Sequence, residues 1–186
     1  MGNQDLKRSE QAAGKTGFFE WMEVLVSAIL LVILFCTFVA RPNVEVVGTS
    51  MYPTLEDGDR MFVSNLFYTP KQGDVIVFTK ASYGDESLVK RIIAVAGQTV
   101  DIDPVAGTVS IDGVVLEEDY ISEPTRRLSD VPFPVTVPEG CVFVLGDNRN
   151  ESRDSRYGLI GMVDTRYIIG RAYVVIAPFA RFGPIN

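Results

Sequence analysis

The sequence predicts a mainly β protein, with one N-terminal transmembrane helix followed by an all-β domain that carries a small inserted cap. Three observations support this. A long apolar run lies near the N-terminus; beyond it the pattern switches to short Val/Ile/Phe-rich segments; and Gly, Pro and Asp separate those segments at short intervals. At 186 residues the chain has room for one domain beyond the helix.

Residues 1–20 are polar with Gly and Ser, and read as a tail at the membrane face. Residues 21–40 read as the transmembrane helix. Val24 to Ala40 holds seventeen residues without a charge, and extending back to Trp21 adds only Glu23. A bilayer core needs about 20 apolar residues. A cleaved leader normally has a shorter apolar core and a small-x-small site, and Phe38-Val39-Ala40-Arg41-Pro42 is a poor one. Lys7, Arg8 and Lys15 precede the run, whereas Arg41 alone closely follows it. The excess of basic residues places the N-terminus in the cytoplasm and residues 41–186 outside it.

Pro42 ends the helix. Strands are expected at 44–47, 60–64, 75–79, 88–95, 99–102, 109–111, 114–117, 142–145 and 167–176. Asp112-Gly113 between two of these runs is a hairpin turn signal. Residues 119–140 are broken by Pro124, Pro132, Pro134 and Pro138. With the hairpin before them they suggest a small cap over residues 98–140; a long surface loop beside an ordinary hairpin is the alternative.

Composition removes several function classes. Residues 41–186 hold fourteen Lys/Arg and twenty Asp/Glu, a net charge of −6 (14 − 20), which opposes nucleic-acid binding. Cys36 lies in the apolar run and Cys141 far downstream, so no internal disulfide is expected. With no histidine and one outer cysteine, the common zinc sites are ruled out. No EF-hand spacing occurs, and neither a metal nor another cofactor is expected.

Ser50-Met51-Tyr52-Pro53-Thr54-Leu55 places a serine in a Pro-bounded turn ten residues past the apolar run. A serine hydroxyl needs a base to act as a nucleophile, and the usual histidine is missing. Three lysines lie beyond the helix. Lys71 sits in a polar turn, and Lys80 precedes a polar stretch, so both should be solvated. Lys90 lies within Leu88-Val89-Lys90-Arg91-Ile92-Ile93-Ala94-Val95. Strand alternation puts Leu88, Lys90, Ile92 and Ala94 on one face and Val89, Arg91, Ile93 and Val95 on the other. Burial would lower the lysine pKa towards neutrality. A lysine in such a strand also commonly snorkels to a sheet edge, and a serine before Pro is commonly turn chemistry. Glu56, Asp57 and Asp59 follow Ser50 in what reads as a solvated turn.

A third stretch, Gly146 to Gly158, is almost wholly polar, with interleaved charges. It suits the orientation of catalytic groups, or equally a surface salt-bridge network.

Together, Ser50-Met51-Tyr52-Pro53-Thr54-Leu55, Lys90-Arg91 in an apolar strand, and Gly146-Asp147-Asn148-Arg149 with Ser152-x-Asp154-Ser155-Arg156 resemble the boxes of bacterial type I signal peptidases. The order of the boxes and the preceding anchor match as well. The resemblance covers most of residues 18–177, and the single anchor and short middle region look like the Gram-positive forms. It implies a membrane-bound serine endopeptidase with a signal-peptidase-like β catalytic domain, acting on exported preproteins at the lipid bilayer. By motif position Ser50 is the nucleophile and Lys90 the general base. Ser152 would hydrogen-bond and orient the lysine, Asp154 and Arg156 would form a supporting pair, and Asp147 would pair with Arg91. Some members carry a hydroxyl residue two positions before the nucleophile; here Gly48 stands there. The oxyanion is then expected to depend on backbone N–H groups at Ser50 and Gly48. Val46, Val47 and Val89 flank the dyad as pocket walls or as ordinary core residues.

Alternatives come from other classes. A repressor-type Ser–Lys protease would be soluble and linked to DNA. A penicillin-binding-type enzyme needs Ser-x-x-Lys, which is absent. A non-catalytic anchored relative would be expected to lack the serine or the lysine.

Overall fold

The β-branched runs pair into two antiparallel sheets. The computed structural model describes residues 19–35 and 41–185. The strands are β1 (Arg41–Glu45), β2 (Arg60–Ser64), β3 (Val75–Lys80), β4 (Gly84–Val95), β5 (Thr99–Asp103), β6 (Thr108–Ile111), β7 (Val114–Val115), β8 (Val135–Thr136), β9 (Cys141–Leu145), β10 (Val163–Asp164), β11 (Ile168–Ala177) and β12 (Gly183–Pro184). The larger sheet runs β1-β2-β11-β3-β4-β9-β10, with β12 also on β11; the smaller runs β7-β6-β5-β8.

The chain divides into two compact units, residues 1–40 and Arg41–Asn186. In the first, residues 19–35 form a helix. Among the described residues, no helix is long and apolar enough to cross a membrane. The first eighteen residues of the tail expected over 1–20, and the last part of the expected span, 36–40, lie outside the described residues.

Within the second unit, the central strands are buried on both faces, which is why they read as continuous apolar runs rather than alternating ones. Val75 and Val77 of β3 join one core cluster with Met51, Leu55, Met61 and Val63. Ile76 and Phe78 point the other way, into a cluster with Ile92, Val142 and Val144. A third cluster joins the two sheets: Val100, Ile102, Val109 and Ile111 of the smaller sheet pack on Ile93, Ala94, Phe143 and Leu145. The hairpin at Asp112-Gly113 turns with both residues at positive φ, 52° and 82°, the geometry a type I′ turn requires.

Four expectations need correction. The first strand ends at Glu45 rather than continuing to Val47, because Val46 instead exchanges backbone bonds with Asp59 and Gly58. Strand β4 begins at Gly84, four positions before its apolar core (88 − 84), since the polar residues of its outer half still pair with β3. Its alternation fails at the end. A register shift between Ile92 and Ala94 sends Ala94 into the cluster of Ile93 and Val95 into that of Ile92. The acidic turn after Ser50 is not wholly solvated either. Asp59 is buried, caps the Glu56 N–H at 2.8 Å and accepts two bonds from Arg181.

Candidate active site

Two polar groups meet where the turn after β1 crosses β4. Ser50 opens a turn held by backbone bonds from Tyr52 to Thr49 and from Leu55 to Met51. Met51 and Leu55 are fully buried and anchor that turn in the core. Lys90 is nine-tenths or more out of solvent, at 3% exposure. Its Nζ donates to Ser50 Oγ at 2.7 Å and to its own neighbour's carbonyl, Val89 O, at 2.8 Å. Burial lowers the Lys90 pKa from 10.5 to about 8, against the opposing pull of Asp154 and Asp147. That shift raises the neutral fraction at pH 7 from roughly one in three thousand to roughly one in ten. The other outer lysines lack this environment. Lys71 is exposed, and half-buried Lys80 donates to Met162 O at 2.7 Å.

The Ser50 and Lys90 side chains line a groove of about 300 Å³. Val46, Val47 and Val89 line it too. Val47 is 86% exposed, whereas Val46 is also part of the core cluster against which Val89 packs.

The chain is similar to known proteins over most of its length. A family described as signal peptidase, peptidase S26, matches residues 18–177. A signal peptidase I from Bacillus licheniformis is 38% identical over 178 residues, covering 89% of this chain and 91% of that one. A probable signal peptidase I-1 from a Synechocystis strain is 39% identical, covering 90% and 86%. A crystal structure of a signal peptidase I from Enterococcus faecalis aligns with a TM-score of 0.45 and 34% identity, over 56% of this chain and 97% of that one.

The chain belongs to the signal peptidase family, peptidase S26.

Membership makes it a serine-type hydrolase. The groove around Ser50 and Lys90 is backed by three buried arginine–carboxylate pairs. Arg91 donates from Nε and Nη2 to the two oxygens of Asp147, at 2.9 and 2.7 Å. Thr54 Oγ1 donates to the same carboxylate, so the nucleophile's turn and the lysine's strand share one anchor. Arg156 donates from Nε and Nη2 to Asp154, at 2.8 Å each. Asp154 also accepts the Gly146 N–H at 3.1 Å. Arg149 binds Glu118 through both terminal nitrogens, at 2.8 and 2.6 Å. Bidentate, charge-assisted pairs of this kind fix geometry tightly. Removing one partner would strand a buried charge.

Two expected contacts are not made. The Ser152 hydroxyl is fully buried in the site but has no hydrogen-bond partner among the described residues. The lysine bond expected of it is absent, because Lys90 Nζ is directed at Ser50 and Val89 instead. The Gly48 N–H is not free for an oxyanion either, since it donates to Asp57 Oδ1 at 2.7 Å. The Ser50 N–H makes no hydrogen bond among the described residues.

Sequence reasoning missed several residues that hold the site together. Asn148 clamps the nucleophile's backbone: its N–H donates to Ser50 O at 3.1 Å and its Nδ2 to Thr49 O at 3.1 Å. Gly146 lets the chains approach, because a Cβ there would overlap Ser152 Oγ and the Ser50 carbonyl oxygen. Tyr120 stacks on Arg91, whose Cζ lies 4.1 Å from the ring centroid, and donates to Glu118 at 2.9 Å. Asn148 and Gly146 stood inside a motif already singled out. Tyr120 and Glu118 lie in a Pro-broken stretch with no periodic signal to mark them.

Proposed function

We propose that this protein is a membrane-bound serine endopeptidase that removes N-terminal signal peptides from exported preproteins, using a Ser50–Lys90 dyad. In this reading residues 1–20 are a cytoplasmic tail, 21–40 a single membrane span, 41–186 the extracytoplasmic peptidase domain, and 98–140 a small cap within it. The observation that carries the proposal is the 2.7 Å contact between the Lys90 amine and the Ser50 hydroxyl, with the lysine buried and its pKa lowered to about 8. A general base must lie within hydrogen-bond reach and be deprotonated near the working pH, and both conditions favour this pair.

Neutral Lys90 accepts the Ser50 proton as Oγ bonds to the scissile carbonyl carbon. The Ser50 N–H, which has no other partner among the described residues, stabilises the oxyanion, as preorganised backbone donors do. The Lys90 ammonium then passes its proton to the leaving amine as the C–N bond breaks. A water attacks the resulting ester, gives its proton to Lys90 and releases the acyl product, and the proton returns to Ser50 Oγ. Asp147, Arg91, Asp154 and Arg156 keep the two strands and the loop in register, and the buried Ser152 packs against Gly146. Ten residues separate Ala40 from Ser50, a reach of at most about 33–36 Å. The nucleophile therefore works near the bilayer, where the apolar part of a substrate ends.

The test is cleavage of a preprotein by the full chain in detergent. Ser50→Ala and Lys90→Ala are each expected to abolish it. Substantial cleavage by either variant would overturn the dyad, and failure of the wild type to cleave would overturn the substrate class.

A further inference from the structure

We infer that Arg153 and Arg127 form an accessory subsite that binds a carboxylate side chain of the polypeptide substrate near the cut. This rests on the peptidase reading above. Arg153 lies between Ser152 and Asp154, both fully buried, so its backbone is held firmly beside the dyad. Its own side chain points outward and lines the groove that holds Ser50 and Lys90. The guanidinium makes no ion pair or hydrogen bond among the described residues, although Glu86 and Glu151 line the same groove.

Arg153 and Tyr83 also line an adjoining recess of about 200 Å³, completed by Arg127, Tyr157, Leu159 and Ile160. Among the described residues no carboxylate lines that recess, in a chain whose net charge is −7. Two cations with no described acid between them leave a local positive field for an anion to fill. Arg127 is also fixed in place. Its carbonyl accepts from Arg156 Nη1 at 2.7 Å, its N–H donates to Asn150 Oδ1 at 3.3 Å, and its Nη1 donates to Asn150 O at 3.1 Å. The rest of its guanidinium fork is uncommitted, and its Cζ lies 6.0 Å from the centroid of the Tyr157 ring. Two planar forks in one recess with Tyr83 and Tyr157 suit a carboxylate, which arginine binds through paired N–H groups. Because the recess shares Arg153 and Tyr83 with the catalytic groove, a chain bound at Ser50 can deliver that carboxylate from one of its own flanking residues.

The experiment uses peptides with a neutral, small-residue cleavage site and one Asp walked through the flanking positions. The readout is the ratio of kcat/KM for each Asp peptide to that for the neutral parent, measured within one enzyme. For the wild type the ratio is expected to peak at one position, roughly three- to tenfold above unity, from two partly exposed ion pairs. It should fall as salt is raised. In Arg153→Gln and Arg127→Gln the peak should fall towards unity, and in Arg153→Glu a Lys at that position should be preferred over Asp. An even ratio at all positions in the wild type, or a peak unchanged in both glutamine variants, would overturn the subsite. So would a loss of binding to vesicles of anionic phospholipid in these variants with the peptide ratio unaltered, which would assign the arginines to the membrane. Failure of the wild type to cleave even the neutral parent would instead overturn the peptidase reading, and the subsite with it.

Discussion

Replacing Gly146 with alanine adds one methyl group at the point where the loop after β9 meets the nucleophile. That methyl carbon would overlap both Ser152 Oγ and the Ser50 carbonyl oxygen. Gly146 does not occupy the left-handed region of φ, so alanine carries no conformational penalty of its own and the effect is purely steric. Neither neighbour moves freely. Ser152 is fully buried, and the Ser50 carbonyl is held by the Asn148 N–H at 3.1 Å. Overpacking of this kind costs about 1–3 kcal/mol, equivalent to a fall in Tm of roughly 2–12 °C for a domain of this size. Because the displaced atom belongs to Ser50 itself, the nucleophile moves relative to Lys90, and a shift of about 1 Å costs on the order of 100-fold in rate. The assay is kcat/KM on a preprotein substrate, with thermal unfolding measured in parallel. Pairing the change with Ser152→Gly removes the overlaps with the Ser152 Oγ and Cβ, so part of the lost stability should return while the Ser50 contact, and most of the lost rate, remain. Activity of Gly146→Ala within threefold of wild type would refute the reasoning.

Two other substitutions test the frame behind the dyad. Asp147→Asn leaves the Arg91 guanidinium buried with its partner's negative charge gone and weakens the bond from Thr54; a loss of about 3–5 kcal/mol is expected in denaturant unfolding. Tyr120→Phe keeps the ring over Arg91 and removes only the bond to Glu118, whereas Tyr120→Ala removes both. Stability should fall by about 1 kcal/mol for the first and by about 3 kcal/mol or more for the second, read from the same unfolding curves.

Much of the β architecture was legible because its strands are buried. Val75 to Phe78 and Cys141 to Leu145 read as strands from their apolar character alone, and both pack on two sides. Lys90 could be singled out because it was the one outer lysine within an apolar run, and the structure puts its amine on Ser50. What escaped depends on distant partners. Asp59 looked solvated because its local neighbours are acidic, and Arg181, 122 residues away, supplies the cation that makes its burial tolerable. Glu118 and Tyr120 carry no periodic signal, since their partners Arg149 and Arg91 come from other strands and loops. The β4 register shift was invisible because Ile92, Ile93 and Ala94 are all apolar, so no polar residue marks the change of face. The Gly48 N–H is occupied by an aspartate nine residues on, a local contact that turn composition does not specify.

The central claim is that Lys90 serves Ser50 as a neutral base. The pH dependence of kcat/KM for preprotein cleavage tests it most directly, because it reports the protonation of the free enzyme's essential base. Protonated Lys90 cannot accept the Ser50 proton, so activity should be low in acid and rise with pH as the amine deprotonates. The half-maximal point is expected near pH 8, the value to which burial lowers this lysine. A profile that is flat across this range, or one that rises only near the 10.5 of an ordinary lysine, would contradict it.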